Sequence, residues 1–152
     1  MSILNKIKEK LNYIMSIDDT PKRLALSFGI GVFIAVSPLW GLHTVLGIGL
    51  AVFFNLNKVV TIAGVYVSNP WTFIPIYTFT TWFGIKIMRK DIPSVSIDWK
   101  HITFSNFFDS LSVFLWPFVI GSTIIAIISG IISGFIVYYY FKRKRIKLNE
   151  DY

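Results

Sequence analysis

The chain has 152 residues, of which 54% are hydrophobic and 15% charged, with a formal net charge of +7 and a mean hydropathy of +0.62. Soluble domains carry about 25% charged residues, so the deficit points to a membrane protein. The absence of cysteine excludes disulfides, thiolate chemistry and Cys-based metal sites.

Charge is also unevenly placed. Of the 15 Lys and Arg, five lie in residues 1–23, four in 86–100 and five in 142–147, while Lys58 is the only charged residue between Leu24 and Ile85. Basic residues that flank apolar blocks, rather than lining one soluble face, speak against nucleic-acid binding and for an integral membrane protein.

In chain order, residues 1–19 place Ile3, Leu4, Ile7, Leu11, Ile14 and Met15 at helical spacing among lysines and asparagines. The pattern predicts an amphipathic helix, either lying on an anionic membrane surface or packed on the protein itself. No cleavable signal peptide is expected, because the first apolar run begins at Leu24 without a small-residue cleavage site after it.

Residues 20–90 form the next unit, a membrane-embedded hairpin domain. Three turns punctuate it: SPLWG, NLNK and SNPWT. A Ser or Asn followed by Pro is a helix start signal, so Ser37-Pro38 and Asn69-Pro70 predict starts. Four helices follow, at 23–36, 38–55, 58–68 and 70–89. The first and third are shorter than the roughly 20 residues a span needs. Val36, Ser37 and Trp40 match Val67, Ser68 and Trp71 at an offset of 31, a faint internal echo. Basic flanks predict that both termini are cytoplasmic, hence an even number of crossings. Three full spans do not fit between Leu24 and Ile85, so short or re-entrant helices are expected there.

Residues 91–117 read as an interfacial loop and helix. Asp98 and His101 have helical spacing there, but two ligands make a poor metal site. Residues 118–141, FVIGSTIIAIISGIISGFIVYYYF, are a transmembrane helix of 24 residues, about 36 Å long. Ser122, Ala126, Gly130 and Gly134 form a small-residue stripe that admits close helix approach. Tyr138, Tyr139 and Tyr140 make an aromatic belt, and residues 142–152 form a basic cytoplasmic tail.

The G-x-F-I-x-x-S-P segment at 31–38, G-L-H-T at 41–44 and V-S-N-P-x-T-x-x-P-x-Y at 67–77 resemble the family known as domain of unknown function 2062. That resemblance covers roughly residues 20–90. It implies a small prokaryotic integral membrane protein, in a family sometimes attached to or encoded near glycosyltransferases, and it assigns no reaction. A weaker likeness, in architecture only, is to the re-entrant-hairpin lipid transporters of the DedA type.

Candidate binding residues gather at the two proline starts: Ser37, Pro38, Gly41, His43 and Thr44 at the first, Ser68, Asn69, Pro70, Thr72 and Pro75 at the second. A helix N-terminus presents unpaired N–H groups and a positive dipole end, which two converging starts would turn toward an anion. The alternative is that Ser37 and Asn69 cap buried helix ends and bind nothing. Pro75 frees the carbonyl of Trp71, giving either a polar cavity wall or a packing kink. His43 offers a titratable donor or a satisfied neutral imidazole. Lys58 follows a turn, where snorkelling to an interface competes with a charge partner in a cavity.

Between Asp19 and Asp91 there is no acidic residue, and no nucleophile, metal or glycine-rich phosphate motif appears. No catalytic residue, metal or cofactor is therefore assigned. The fold expected is all-α: a polytopic helical membrane protein with two proline-started helical hairpins and a C-terminal transmembrane helix. It is placed in the inner (cytoplasmic) membrane, with lipids as partners. The preferred function is transport or flipping of an anionic solute or phosphate-bearing lipid. The alternative is a non-catalytic scaffold for a partner enzyme such as a glycosyltransferase, or a homo-oligomer, joined through the small-residue stripe.

Overall fold

The computed structural model describes residues 19–39, 41–88 and 104–150, without the side chains of Pro70, 104–112 and 147–150. The N-terminal amphipathic segment to residue 18, Trp40, and the Asp98–His101 pair lie outside the described residues.

Five α-helices and no strand occur among the described residues: α1 Pro21–Val36, α2 His43–Phe53, α3 Lys58–Val65, α4 Pro70–Met88 and α5 Phe104–Glu150. At 1.5 Å per residue α5 is about 70 Å long and serves as the spine. Helices α1 and α4 pack on it, α3 packs on α1, and α2 rests mainly on α3. The span expected at 118–141 is thus the middle of a longer helix that runs through Pro117. Its segment Val113–Ile146 is the one helix among the described residues long and apolar enough to cross a membrane, and it points to membrane association. Helices α2 and α3, with 11 and 8 residues, fall well short of a span.

The helix boundaries follow from local chemistry. Thr20 caps α1, accepting from Arg23 N at 3.3 Å, with Pro21 in the first turn. Helix α2 ends in a Schellman arrangement: Leu56 N bonds Ala51 O at 2.7 Å and Asn55 N bonds Val52 O at 3.2 Å. Asn55 supplies the left-handed residue that this closure needs, with φ 52°. Asn57 then caps α3 through Val60 N at 3.1 Å.

One predicted helix start is corrected. Ser37-Pro38 ends α1 instead of beginning α2, because a residue before proline is driven out of the helical region. Ser37 is extended, with ψ 156°, and its hydroxyl turns back to donate to Ile34 O at 2.8 Å. Gly41 at φ 75° then reverses the chain, and α2 begins only at His43, with no side-chain cap at Leu42. The echoed residues Val36-Ser37 and Val67-Ser68 both lie at or just past a helix end, but only the second pair leads directly into a helix, at Pro70.

Glycines set the helix crossings. A Cβ on Gly31 would meet Gly64 Cα at 2.8 Å, joining α1 to α3, and a Cβ on Gly29 would meet Gly130 O at 2.7 Å, joining α1 to α5. Between α4 and α5, a Cβ on Gly84 would collide with Pro117 O, and one on Gly121 with Thr80 O. Backbones this close are the packing mode of helices in lipid, where small residues replace the hydrophobic drive. The outer surface is strongly apolar: Trp71 is 90% and Phe53 79% exposed, with Val45, Ile74, Phe135 and Ile136 also outward. An exposed apolar surface on this scale marks a membrane or partner contact.

Candidate functional site

The two sequence motifs do meet, at Tyr77 and not at their helix starts. Tyr77 lies two turns into α4 and is buried. Its hydroxyl donates to the Ser37 carbonyl at 3.1 Å and stands 3.5 Å from His43 Nε2. His43 Nε2 is also 3.5 Å from the same carbonyl. The end of α1, the start of α2 and the middle of α4 thus place an imidazole, a phenol and a carbonyl in one polar triangle. Phe73 and Phe118 wall it, with ring centroids 4.6 and 5.2 Å from that of Tyr77. Two of the three legs are at the outer limit of hydrogen bonding, so His43 is held only weakly at this nitrogen.

The second motif is occupied by its own capping. Asn69 Oδ1 accepts from Trp71 N and Thr72 N at 3.0 Å each, and Thr72 Oγ1 accepts from Asn69 N at 2.9 Å. Phe73 N bonds Asn69 O at 2.9 Å. This reciprocal box satisfies the first-turn donors that were expected to face a ligand. Trp71, Asn69 and Pro75 face outward, Ser68 is half-buried, and no bond joins Asn69 to the first motif. Of the first motif, Thr44 and Gly41 are exposed, Pro38 is half-buried and Ser37 buried. Lys58 is exposed at the start of α3.

Sequence reasoning missed a second polar centre. Asp19 is buried and accepts from Arg23 Nη1 at 3.1 Å and Asn57 Nδ2 at 2.9 Å. Arg23 also donates to Asn55 O at 2.8 Å and Asn55 Oδ1 at 3.1 Å. The Ser27 hydroxyl accepts from Asn57 N at 2.9 Å and donates to Arg23 O at 2.6 Å. Arg145, on α5, donates to the Asp19 carbonyl. The network clamps the start of α1, the α2–α3 turn and the basic end of α5 together. The NLNK turn was the available signal, since two asparagines flank one buried leucine there.

The small-residue stripe is engaged inside the chain. Gly130 and Gly134 lie against Gly29 and Ala25 of α1, and Ser122 and Ala126 are fully buried. A partner joined through this stripe, the basis of the scaffold alternative, would have to displace α1.

The family model described as "Uncharacterized protein conserved in bacteria (DUF2062)" matches residues 4–149. No curated protein and no solved structure matches the chain, so the likeness to DedA-type transporters finds no counterpart there.

Proposed function

The chain belongs to this uncharacterized bacterial family, and we propose that it is a multi-pass membrane protein that moves a phosphate-bearing lipid or anionic solute across the bilayer. The observation that carries this reading is the His43–Tyr77–Ser37 triangle, in which the Tyr77 hydroxyl donates to one backbone carbonyl and His43 Nε2 stands 3.5 Å from both. An imidazole and a phenol so held are ready to turn from the carbonyl to a phosphate oxygen, whose charge makes the stronger acceptor. The Pro38 ring and the Gly41 turn supply the non-helical backbone that membranes tolerate only where protein or water surrounds it.

The clamp supports a topology with both termini on one side. Asp19 and Arg145 meet, so the beginning of α1 and the end of α5 share one end of the bundle, and the basic residues Lys22, Arg23, Lys142 and Arg143 favour the cytoplasmic side for it. Single cysteines engineered at positions 2 and 150 are expected to be shielded from an impermeant thiol reagent in intact cells. Labelling of only one of them from outside would overturn the even-crossing topology, and labelling of both would overturn the cytoplasmic placement.

Transport is tested with purified protein in vesicles carrying a fluorescent phosphatidylglycerol, read by quenching of outer-leaflet dye. Wild type is expected to speed trans-bilayer movement. Tyr77→Phe removes one hydrogen bond of about 1–1.5 kcal/mol, an expected slowing of roughly tenfold. His43→Gln is expected to slow movement as well. Movement no faster than in protein-free vesicles would end the transport reading.

A further inference from the structure

Along the outside of the α1–α5 crossing runs an open groove of about 610 Å³. Its floor is the close backbone contact of Gly29 with Gly130 and Gly134, and its walls include Ile30, Ile131 and Phe135. At one end the wall changes character. Lys22 lines the groove there beside Tyr138, and Lys142 Nζ stands 5.7 Å above the Tyr138 ring. Both lysines are exposed. Among the described residues the groove lining contains no acid, and Asp19 is held by Arg23 and Asn57.

We infer that this groove holds one acyl chain of an anionic phospholipid, with the phosphate between Lys22 and Lys142. Length agrees with that occupant. From Ile127 to Tyr138 on α5 the helix rises about 16 Å, close to half the roughly 30 Å hydrocarbon core, which is the depth of one leaflet. Charge agrees too, because the cations sit at one end only, beside a tyrosine of the kind that settles at headgroup level. The far end of the groove at Phe33 lies one turn along α1 from Ser37, whose N–H bonds the Phe33 carbonyl at 3.0 Å. The groove and the polar triangle thus lie one helical turn apart along α1. The inference rests on the membrane reading given above and adds the lipid class and its seat.

The test is native mass spectrometry of the full chain in detergent with equimolar phosphatidylglycerol and phosphatidylcholine. Wild type is expected to retain one phosphatidylglycerol in preference to phosphatidylcholine. Lys22→Gln and Lys142→Gln should each lower that preference about fivefold, the effect of one basic residue at an anionic headgroup. Ile131→Trp, at an exposed wall position, should displace the lipid by filling the channel. Circular dichroism of each variant checks helix content, and the lysine variants, lying on the surface, keep the test valid if Ile131→Trp fails to fold.

Equal retention of the two lipids, or lysine variants without effect, would overturn the proposal. So would a lipid-free dimer whose association Ile131→Trp breaks, since a second copy would then fill the groove. Selective retention in a protein that moves no lipid would leave the groove standing and remove the transport reading. Tyr77-dependent movement without selective retention would do the reverse.

Discussion

Gly84→Leu is expected to abolish the docking of α4 on α5 and leave no cooperatively folded protein. The obstacle is backbone, which sets it apart from ordinary core crowding. A Cβ at position 84 would run into the carbonyl of Pro117 and reach within 3.1 Å of Gly121 N. Neither atom belongs to a side chain that could rotate away, so the helices must separate. Even Gly84→Ala is expected to cost about 3 kcal/mol, the upper end of the overpacking range, although alanine favours helix over glycine by about 1 kcal/mol. Gly49→Ala is the internal control. Nothing lies within 4 Å of a Cβ there, so only the propensity gain remains and the variant should be slightly more stable. Thermal unfolding in detergent, followed by far-UV circular dichroism, checks both signs. Equal behaviour of Gly84→Ala and Gly49→Ala would show that the α4–α5 contact does not hold the fold.

Much of the fold was legible in the sequence, and the misses have physical causes. The Asn57 and Asn69 caps were readable because a cap is a local event within four residues. The long apolar helix was readable from composition alone. Ser37-Pro38 was misread because proline is compatible both with the first turn of a helix and with the end of the one before it. The turn at Gly41 and the satisfied hydroxyl of Ser37 decide between them, and neither is visible in a start motif. The small-residue stripe was recognised as a packing face, but its partner was sought outside the chain. Gly121, one residue off that stripe, escaped notice although it makes one of the tightest contacts. Tyr77 closed a recognised signature, yet its reach to Ser37, 40 residues away, depends on how α4 docks. Most of the Asp19 clamp was illegible for the same reason. Arg23 is an i,i+4 neighbour, but the other two partners stand 38 and 126 residues away, and no periodicity connects them.

Asp19→Ala is expected to loosen the end of the bundle where α1 begins, at roughly 1–3 kcal/mol, the cost of leaving buried polar groups without partners. The loss exceeds that of a surface ion pair, worth about 0–1 kcal/mol, because Asp19 accepts from two residues at once and is itself buried. Arg23 is partly compensated, since its side chain is 40% exposed and keeps both bonds to Asn55. Asn57 is not, and its Nδ2 loses the carboxylate while its Oδ1 still caps α3. Asp19→Asn separates shape from charge: it keeps an acceptor for Arg23 and should recover about half of the loss. The bond from Arg145 to the Asp19 carbonyl involves backbone, so both variants retain it in principle. If the clamp couples α1, the α2–α3 turn and α5, Asp19→Ala should speed amide exchange in the α2–α3 turn and around residues 142–146 together. Faster exchange in the turn alone would show that Arg145 binds independently, and the basic end of α5 would then not belong to the clamp.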